Sequence, residues 1–306
     1  MPRISDLVLN CVLYLYPDRT SAESGARVGG SGFFVGLPLG VEVRPEQFYY
    51  SLVIVTNKHV ANHGNSVARI NTNDGAFGIV EIDERNWLFH KEHDLAIAPI
   101  DLSFNYQWSF ITWPRDFMLK DGIEALKIGP GDECFVVGRF VNHEGRQRNT
   151  PSVRFGPIAQ MPGEKIQFDD GSEQESFLVE ARSLPGYSGS PVFVYIPAYD
   201  DARVGRGNFS WRRGPWLLGV DHCHLRDKSN AMHRKTGEHV ADDWYVELNT
   251  GMMGVVPAWY LAEMFAFPDM VSFLEREREA AEEHKANLLE DATGIKDARL
   301  LRLPPT

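Results

Sequence analysis

Cysteine is scarce in this 306-residue chain: Cys11, Cys134 and Cys223 are the three it has. Three thiols cannot all pair within one chain, and none has the close spacing of a thiolate metal site. A reducing compartment follows, so a cytoplasmic location is expected, with no metal and no cofactor. Long apolar runs are missing too. No stretch approaches the length of a membrane-spanning helix, and no membrane partner is expected. The opening segment MPRISDLVLNCVLYLYPDRT lacks the unbroken apolar run and small-residue cleavage site of a secretory signal, because Asp6 and Asn10 interrupt it and Pro17 and Asp18 end it. Positive charge is in deficit: 31 basic residues against 42 acidic ones leave a net charge of -11. Such a surface disfavours non-specific binding to nucleic acid. Internal repeats and low-complexity blocks are absent.

What fills the chain is a series of short apolar runs between Gly, Pro, Asn and Asp turns. Strands are expected at 8–15, 31–37, 49–55, 66–71, 77–81, 95–100, 133–139, 153–158, 177–181, 191–195, 216–221 and 243–247. No regular helical segments separate them, which excludes a doubly wound α/β fold and favours an all-β barrel or sandwich. The weakest strand pattern, at 101–126, reads as a connection between two β-units. Surface loops are expected at 141–151, 161–175, 200–215 and 225–242. Arg203, Arg206, Arg212 and Arg213 make the third of these basic: a solvated loop or, alternatively, a partner contact. Helices are expected at 257–266, opened by Pro257, and at 269–289. The second is rich in charge, with a weak apolar stripe after Leu274, so it reads as solvent-exposed, His284 included. It is dispensable for active-site geometry on this reading, and is the candidate surface for a regulatory or protein partner.

The chemistry concentrates in three strings. GYSGSP at 186–191 sets Ser188 in a glycine-rich turn just before the apolar run PVFVY. Acyl transfer needs such an exposed nucleophile beside convergent backbone N–H groups, here those of Gly186 and Ser188 as the oxyanion hole. VIVTNKHVA puts His59 directly after an apolar strand, and KEHDLAIAPI puts Asp94 directly before another. Each residue alone is more often structural. Together, in the order His, Asp, Ser on a β-rich chain, they are the candidate base, orienting acid and nucleophile. GYSGS is not the G-x-S-x-G elbow of lipases, because position 190 is Ser. Gly29, Gly30 and Gly32 precede a strand rather than a helix and form no dinucleotide fingerprint. His222, Cys223 and His224 could ligate zinc, but no further ligand pair accompanies them.

These strings resemble those of the trypsin-like serine peptidases, the chymotrypsin-type double β-barrel, and are closer in style to bacterial intracellular members than to digestive zymogens. GGSGFFVG at 29–36 resembles the opening strand of that family, TNKHVA at 56–61 its histidine block, HDLAI at 93–97 its aspartate block, PGYSGSPVF at 185–193 its nucleophile block and LLGVDH at 217–222 the strand lining its primary specificity pocket. The resemblance covers about 25–260. It implies two six-stranded antiparallel barrels, with 1–120 carrying His59 and Asp94 and 121–256 carrying Ser188. The active site lies in the cleft between them, and 257–306 forms a helical extension. It implies a serine endopeptidase acting on protein or peptide substrates through an acyl-enzyme. A catalytically silent relative acting as a protein-binding module is the alternative, and an esterase on another fold a more distant one. Two residues depart from the family pattern. Tyr187 stands where an Asp or Asn is usual and cannot pair with a newly cut N-terminus, so activity without such processing is expected. Ser190 stands where Gly is common. The primary pocket is expected at 182–187 and about 219–224, with Arg182 near its base and His222 or His224 on the opposite wall. A small or apolar substrate side chain ranks first there and an acidic one second. A basic one ranks last, because the segment before Ser188 offers no acid.

Overall fold

The computed structural model describes residues 3–26, 29–44, 47–103, 105–139, 147–167, 171, 173–197, 200, 203, 213–237, 239 and 244–290. Much of the expected loops at 141–151 and 200–215 lies outside the described residues, as do parts of those at 161–175 and 225–242, Arg206 and Arg212 among them.

The N-terminal half contains β1 (Val12–Tyr16), β2 (Gly30–Arg44), β3 (Gln47–Thr56), β4 (Val67–Asn71), β5 (Phe77–Glu81), β6 (Leu88–Phe89), β7 (Ala96–Pro99) and β8 (Ile111–Thr112). They form an 8-stranded sheet in the order β5-β4-β1-β2-β3-β7-β6, with β8 parallel to β2. Its end strands β5 and β6 do not pair, so the hydrogen bonding leaves open what the sequence led us to expect as a closed six-stranded barrel. A short 3-10 turn over Glu84–Asn86, capped by the Asp83 carboxylate, separates β5 from a β6 of only 2 residues. The C-terminal half does close. β9 (Glu133–Gly138), β10 (Ser152–Gln160), β13 (Phe177–Val179), β14 (Pro191–Val194), β15 (Trp216–Asn230) and β16 (Tyr245–Pro257) form a barrel in the order β10-β13-β16-β15-β14-β9. The short β11 (Ile166–Gln167) and β12 (Glu173–Gln174) pair separately.

The apolar runs fail to alternate because the N-terminal sheet is buried on both faces. Tyr14, Phe33, Val35, Val53 and Val55 face a core shared with Phe135, Phe193, Leu217 and Val256 of the barrel. Their neighbours Leu13, Leu15, Phe34 and Ile54 face a second core with Val60 and Trp87. The shared core welds the two halves. Each large side chain buried there contributes about 1.5–3 kcal/mol, and Phe193→Ala would cost about 3–5 kcal/mol through the cavity left behind.

Helices are short except at the end. The first turns are α1 (Asp6–Leu9), where the sequence pattern suggested strand, and α2 (Arg19–Ser24), capped by Asp18 and stopped by Gly25 at φ 70°. Next come α3 (Lys58–Asn62) and α4 (Lys120–Leu126), then α5 (Ala258–Met264) and α6 (Pro268–Glu290). The last helix is less exposed than its charge suggested. Met270 is fully buried in the shared core, Ala281 packs with Leu39, Val41 and Tyr49, and His284 Nδ1 meets the Tyr49 hydroxyl at 2.7 Å. Exposed charges flank this face, as in the Arg278–Glu282 pair. Among the described residues no helix is long and apolar enough to cross a membrane.

Candidate active site

β3 ends at Thr56 and the chain turns at once into α3, placing His59 in its first turn. Asn57 occupies the N-cap but makes no side-chain cap; its amide donates instead to the Asp94 carbonyl at 2.9 Å. Asp94 comes within reach because β7 pairs with β3 in the register Thr56↔Ala96. Its carboxylate then takes up two groups. Oδ2 meets His59 Nδ1 at 2.6 Å, and Oδ1 accepts the His59 backbone N–H at 2.9 Å. The second bond satisfies a donor that a helix start would otherwise orphan, and together they hold ring and backbone as one unit. From the other half of the molecule, Gln174 Oε1 accepts the Asp94 N–H at 3.1 Å.

Burial opposes charge on His59, but the hydrogen bond and charge of Asp94, with a smaller contribution from Asp221, prevail and raise its pKa. Burial pushes Asp94 the other way, yet the His59 pairing holds it below the ordinary carboxylate range. His222 is buried beside this pair. Burial lowers it to about 4, so it is a neutral imidazole at neutral pH, 3.0 Å from Ser176 Oγ.

Ser188 sits in a turn between β13 and β14. That turn is docked on β2 by Ser31, whose N–H donates to the Ser188 carbonyl at 2.8 Å and whose hydroxyl donates to the Gly186 carbonyl at 2.8 Å. Thr56 Oγ1 in turn donates to the Ser31 carbonyl at 2.8 Å, tying the Ser188 turn to the strand that delivers His59. The approach is close enough to require glycine. Gly189 has φ +86°, and a Cβ there would lie 2.1 Å from the Ser31 carbonyl oxygen. The N–H groups of Tyr187, Gly189 and Ser190 are donated within the protein, to the carbonyls of Leu184, Asp221 and Tyr187. Those of Gly186 and Ser188 donate to no acceptor among the described residues.

A family model for the trypsin-like peptidase domain matches residues 30–195, more than half of the chain. The chain belongs to the trypsin-like peptidase domain family. Solved structures with a similar fold include the MamO protease domain of Magnetospirillum magneticum in its apo form, at 14% identity, covering 84% of this chain and 97% of that chain, TM-score 0.48. An HtrA-type protease, AlgW, with a tripeptide has 18% identity, covering 84% of this chain and 60% of that one, TM-score 0.44. The Rv3671c protease of M. tuberculosis in an inactive form has 13% identity, covering 85% and 90%, TM-score 0.44. No curated protein matches.

In this trypsin-like domain Tyr187 points into the barrel. It is fully buried, and its hydroxyl meets Ser152 Oγ and accepts from Arg154 Nε at 3.1 Å. The position that usually carries an acid is thus filled by an aromatic anchored to β10. Ser190 fits because Gly138 faces it: a Cβ on Gly138 would lie 2.1 Å from Ser190 Oγ. Of the residues expected to line the primary pocket, His222 is brought to the His59–Asp94 pair, Arg182 is exposed, and His224 lies further along β15 beside Arg226 Nε at 3.2 Å. Sequence reasoning gave no role to Ser31 or Gln174, and included Ser183 and Asp221 only within the ranges expected for the pocket. Ser183 Oγ donates to Asp221 Oδ2 at 2.8 Å.

Proposed function

We propose that the chain is a serine endopeptidase with Ser188 as nucleophile, His59 as general base and acid, and Asp94 as the orienting carboxylate. The observation that carries this reading is the double engagement of Asp94 with the His59 ring and backbone, at 2.6 and 2.9 Å. It fixes the proton on Nδ1 and turns Nε2 into a base. Ser188 Oγ attacks the scissile carbonyl while Nε2 takes the hydroxyl proton. The developing oxyanion takes the N–H groups of Gly186 and Ser188, which donate to no acceptor among the described residues. The imidazolium, held by Asp94, gives its proton to the leaving amine, and the C–N bond breaks to leave an acyl-enzyme. Water then adds to the ester with His59 as base again, releasing the acid and restoring Ser188.

On this reading the N-terminal sheet through about 120 is the counterpart barrel, 121–256 the second, and 257–306 an extension. The substrate is a protein or peptide, and the buried Tyr187 means that no new N-terminus is needed for activity. With its thiols unpaired, a cytoplasmic setting suits the chain. The test is labelling by a fluorophosphonate, read by mass on intact protein, followed by digestion of a peptide library. Labelling at Ser188, abolished in Ser188→Ala and accompanied by peptide cleavage, is the expected result. A folded chain that takes no label would be a silent binding module, and labelling without peptide cleavage would make it an esterase.

A further inference from the structure

A cavity of about 280 Å³ lies between α6 and the N-terminal sheet, and none of the candidate catalytic residues lines it. Strand register sets one wall. β7 pairs with β3 as Val53↔Pro99, and the Ile100 N–H continues that ladder to the Leu52 carbonyl at 3.0 Å. One step further, the same register sets Asp101 opposite Ser51. Opposite residues share a face, and here it is the face of Tyr49 and Val53, two residues before and after Ser51 on β3. α6 covers that face: Met270 packs in the core that holds Val53, and Ala281 packs with Tyr49. Glu277 lies between those two contacts, one turn after Phe273 and one turn before Ala281 on the same side of the helix. Ser51, Asp101 and Glu277 all line the cavity. Ser51 is only 4% exposed, yet its hydroxyl has no hydrogen-bond partner among the described residues. Neither carboxylate has a hydrogen bond or an ion pair among them. No lysine or arginine is among the lining residues. Arg276 and Arg278, on either side of Glu277, are exposed, and Arg115, whose charge acts on Tyr50, pairs with Asp116 at 2.9 Å.

We propose that this cavity binds a small organic ammonium ion, a primary amine on an aromatic or apolar body. The polar groups on its walls are acceptors in search of donors: two carboxylates and a buried hydroxyl. A primary ammonium brings three N–H donors and the opposite charge, and its hydrogen bonds to carboxylates are of the stronger, charge-assisted kind. The rest of the lining suits the body of such a molecule. Tyr50, Trp108 and Phe273 contribute apolar surface and ring faces, and aromatic faces attract a cation as well. The volume stands at the lower end of the range for small-molecule sites, about 300–1,000 Å³, which fits an amine with a single ring. A neutral ligand of the same shape leaves the carboxylates without a counter-charge, and an anion is repelled by them. A bound amine bridges α6 to β3 and stabilises the folded chain by mass action. The site does not depend on the peptidase chemistry.

The test is calorimetric titration of the full chain at neutral pH with 2-phenylethylamine, and with 2-phenylethanol as its neutral counterpart. The amine should bind roughly tenfold or more tightly than the alcohol and should raise the thermal midpoint. Asp101→Asn and Glu277→Gln keep the shape of the walls and remove one charge each, at positions whose carboxylates hold nothing else in the fold. Each should weaken the amine several-fold and leave the alcohol unchanged, and the double variant should bind the two alike. Thermal midpoints of the unliganded variants check that they fold, and the comparison of amine with alcohol in wild type needs no variant. No binding of the amine, or equal binding of amine and alcohol by wild type, would overturn the proposal. An amine preference that the double variant retains would place the cation elsewhere in the molecule, the Ser188 cleft included, and would overturn it too. Labelling of Ser188 by fluorophosphonate bears on the peptidase reading alone, so the two stand or fall separately.

Discussion

Ser31→Ala tests whether one hydroxyl holds the Ser188 turn against the N-terminal sheet. The side chain is fully buried. Its oxygen donates to the Gly186 carbonyl at 2.8 Å and accepts the Arg139 N–H at 3.1 Å, across 155 and 108 residues of chain. Alanine fits the space but leaves a buried carbonyl and a buried N–H unmatched, at about 1–3 kcal/mol each. The sum is roughly 2–6 kcal/mol. For a chain of this size each kcal/mol moves the thermal midpoint about 2–4 °C, so a loss of roughly 4–24 °C is expected in a scan at fixed rate. Chemistry should suffer further. On the proposed reading the Gly186 N–H is an oxyanion donor, and losing one such donor outright costs about 10²–10³ in rate. Ser31 holds the carbonyl of the same residue, one peptide unit further on, so loosening it should displace that N–H and slow fluorophosphonate labelling by roughly 10-fold to 100-fold at 25 °C, where the variant is still folded. A midpoint within about 2 °C of wild type, together with an unchanged labelling rate, would refute the idea that Ser31 positions the turn.

Three further outcomes follow from the electrostatics and the packing. His59 is raised by Asp94, and its basic form appears only above its pKa. The acid limb of kcat/KM should therefore lie above the ordinary imidazole value of about 6.5, and Asp94→Asn should move that limb down while cutting kcat by about 10⁴; an unmoved limb would count against the pairing. Asp221 rises on folding from 3.8 to about 7. A raised carboxylate costs stability progressively as pH climbs between those values, at about 1.4 kcal/mol per pH step, so Asp221→Asn should be stabilised by up to about 4 kcal/mol at pH 8 and hardly at pH 4, as read from denaturant midpoints. Ending the chain at Phe267 strips Met270 from the shared core and Ala281 from Leu39, Val41 and Tyr49. At about 1.5–3 kcal/mol per large buried side chain, the truncated chain should melt roughly 10 °C lower yet still label at Ser188. Complete failure to fold would make α6 part of the folding unit rather than a cover.

What the sequence determined on its own was whatever depends on neighbours in the chain. Short apolar runs between turn residues were legible as strands, including those that deliver Thr56, Ala96 and Pro191. The candidate triad stood out because each member abuts a strand: His59 after one, Asp94 before another, Ser188 in a turn whose glycines permit close approach. Helix formers after Pro268 marked α6 within a residue or two. Tertiary structure decided everything that depends on register and on docking between distant segments. Nothing local marks Ser31 as the partner of Gly186 or Gln174 as the acceptor for Asp94, since those contacts exist only once the two halves share a core. The open edge between β5 and β6 is a matter of strand pairing, which apolar periodicity does not report. Charge along α6 concealed a narrow face of Met270, Leu274 and Ala281 that is enough to cover β2 and β3. Asp221 stood within the run 217–222, read as a pocket-lining strand, and was given no role of its own. Only its pairing with Val255 turns the carboxylate inward beside the Ser188 turn, where burial raises its pKa.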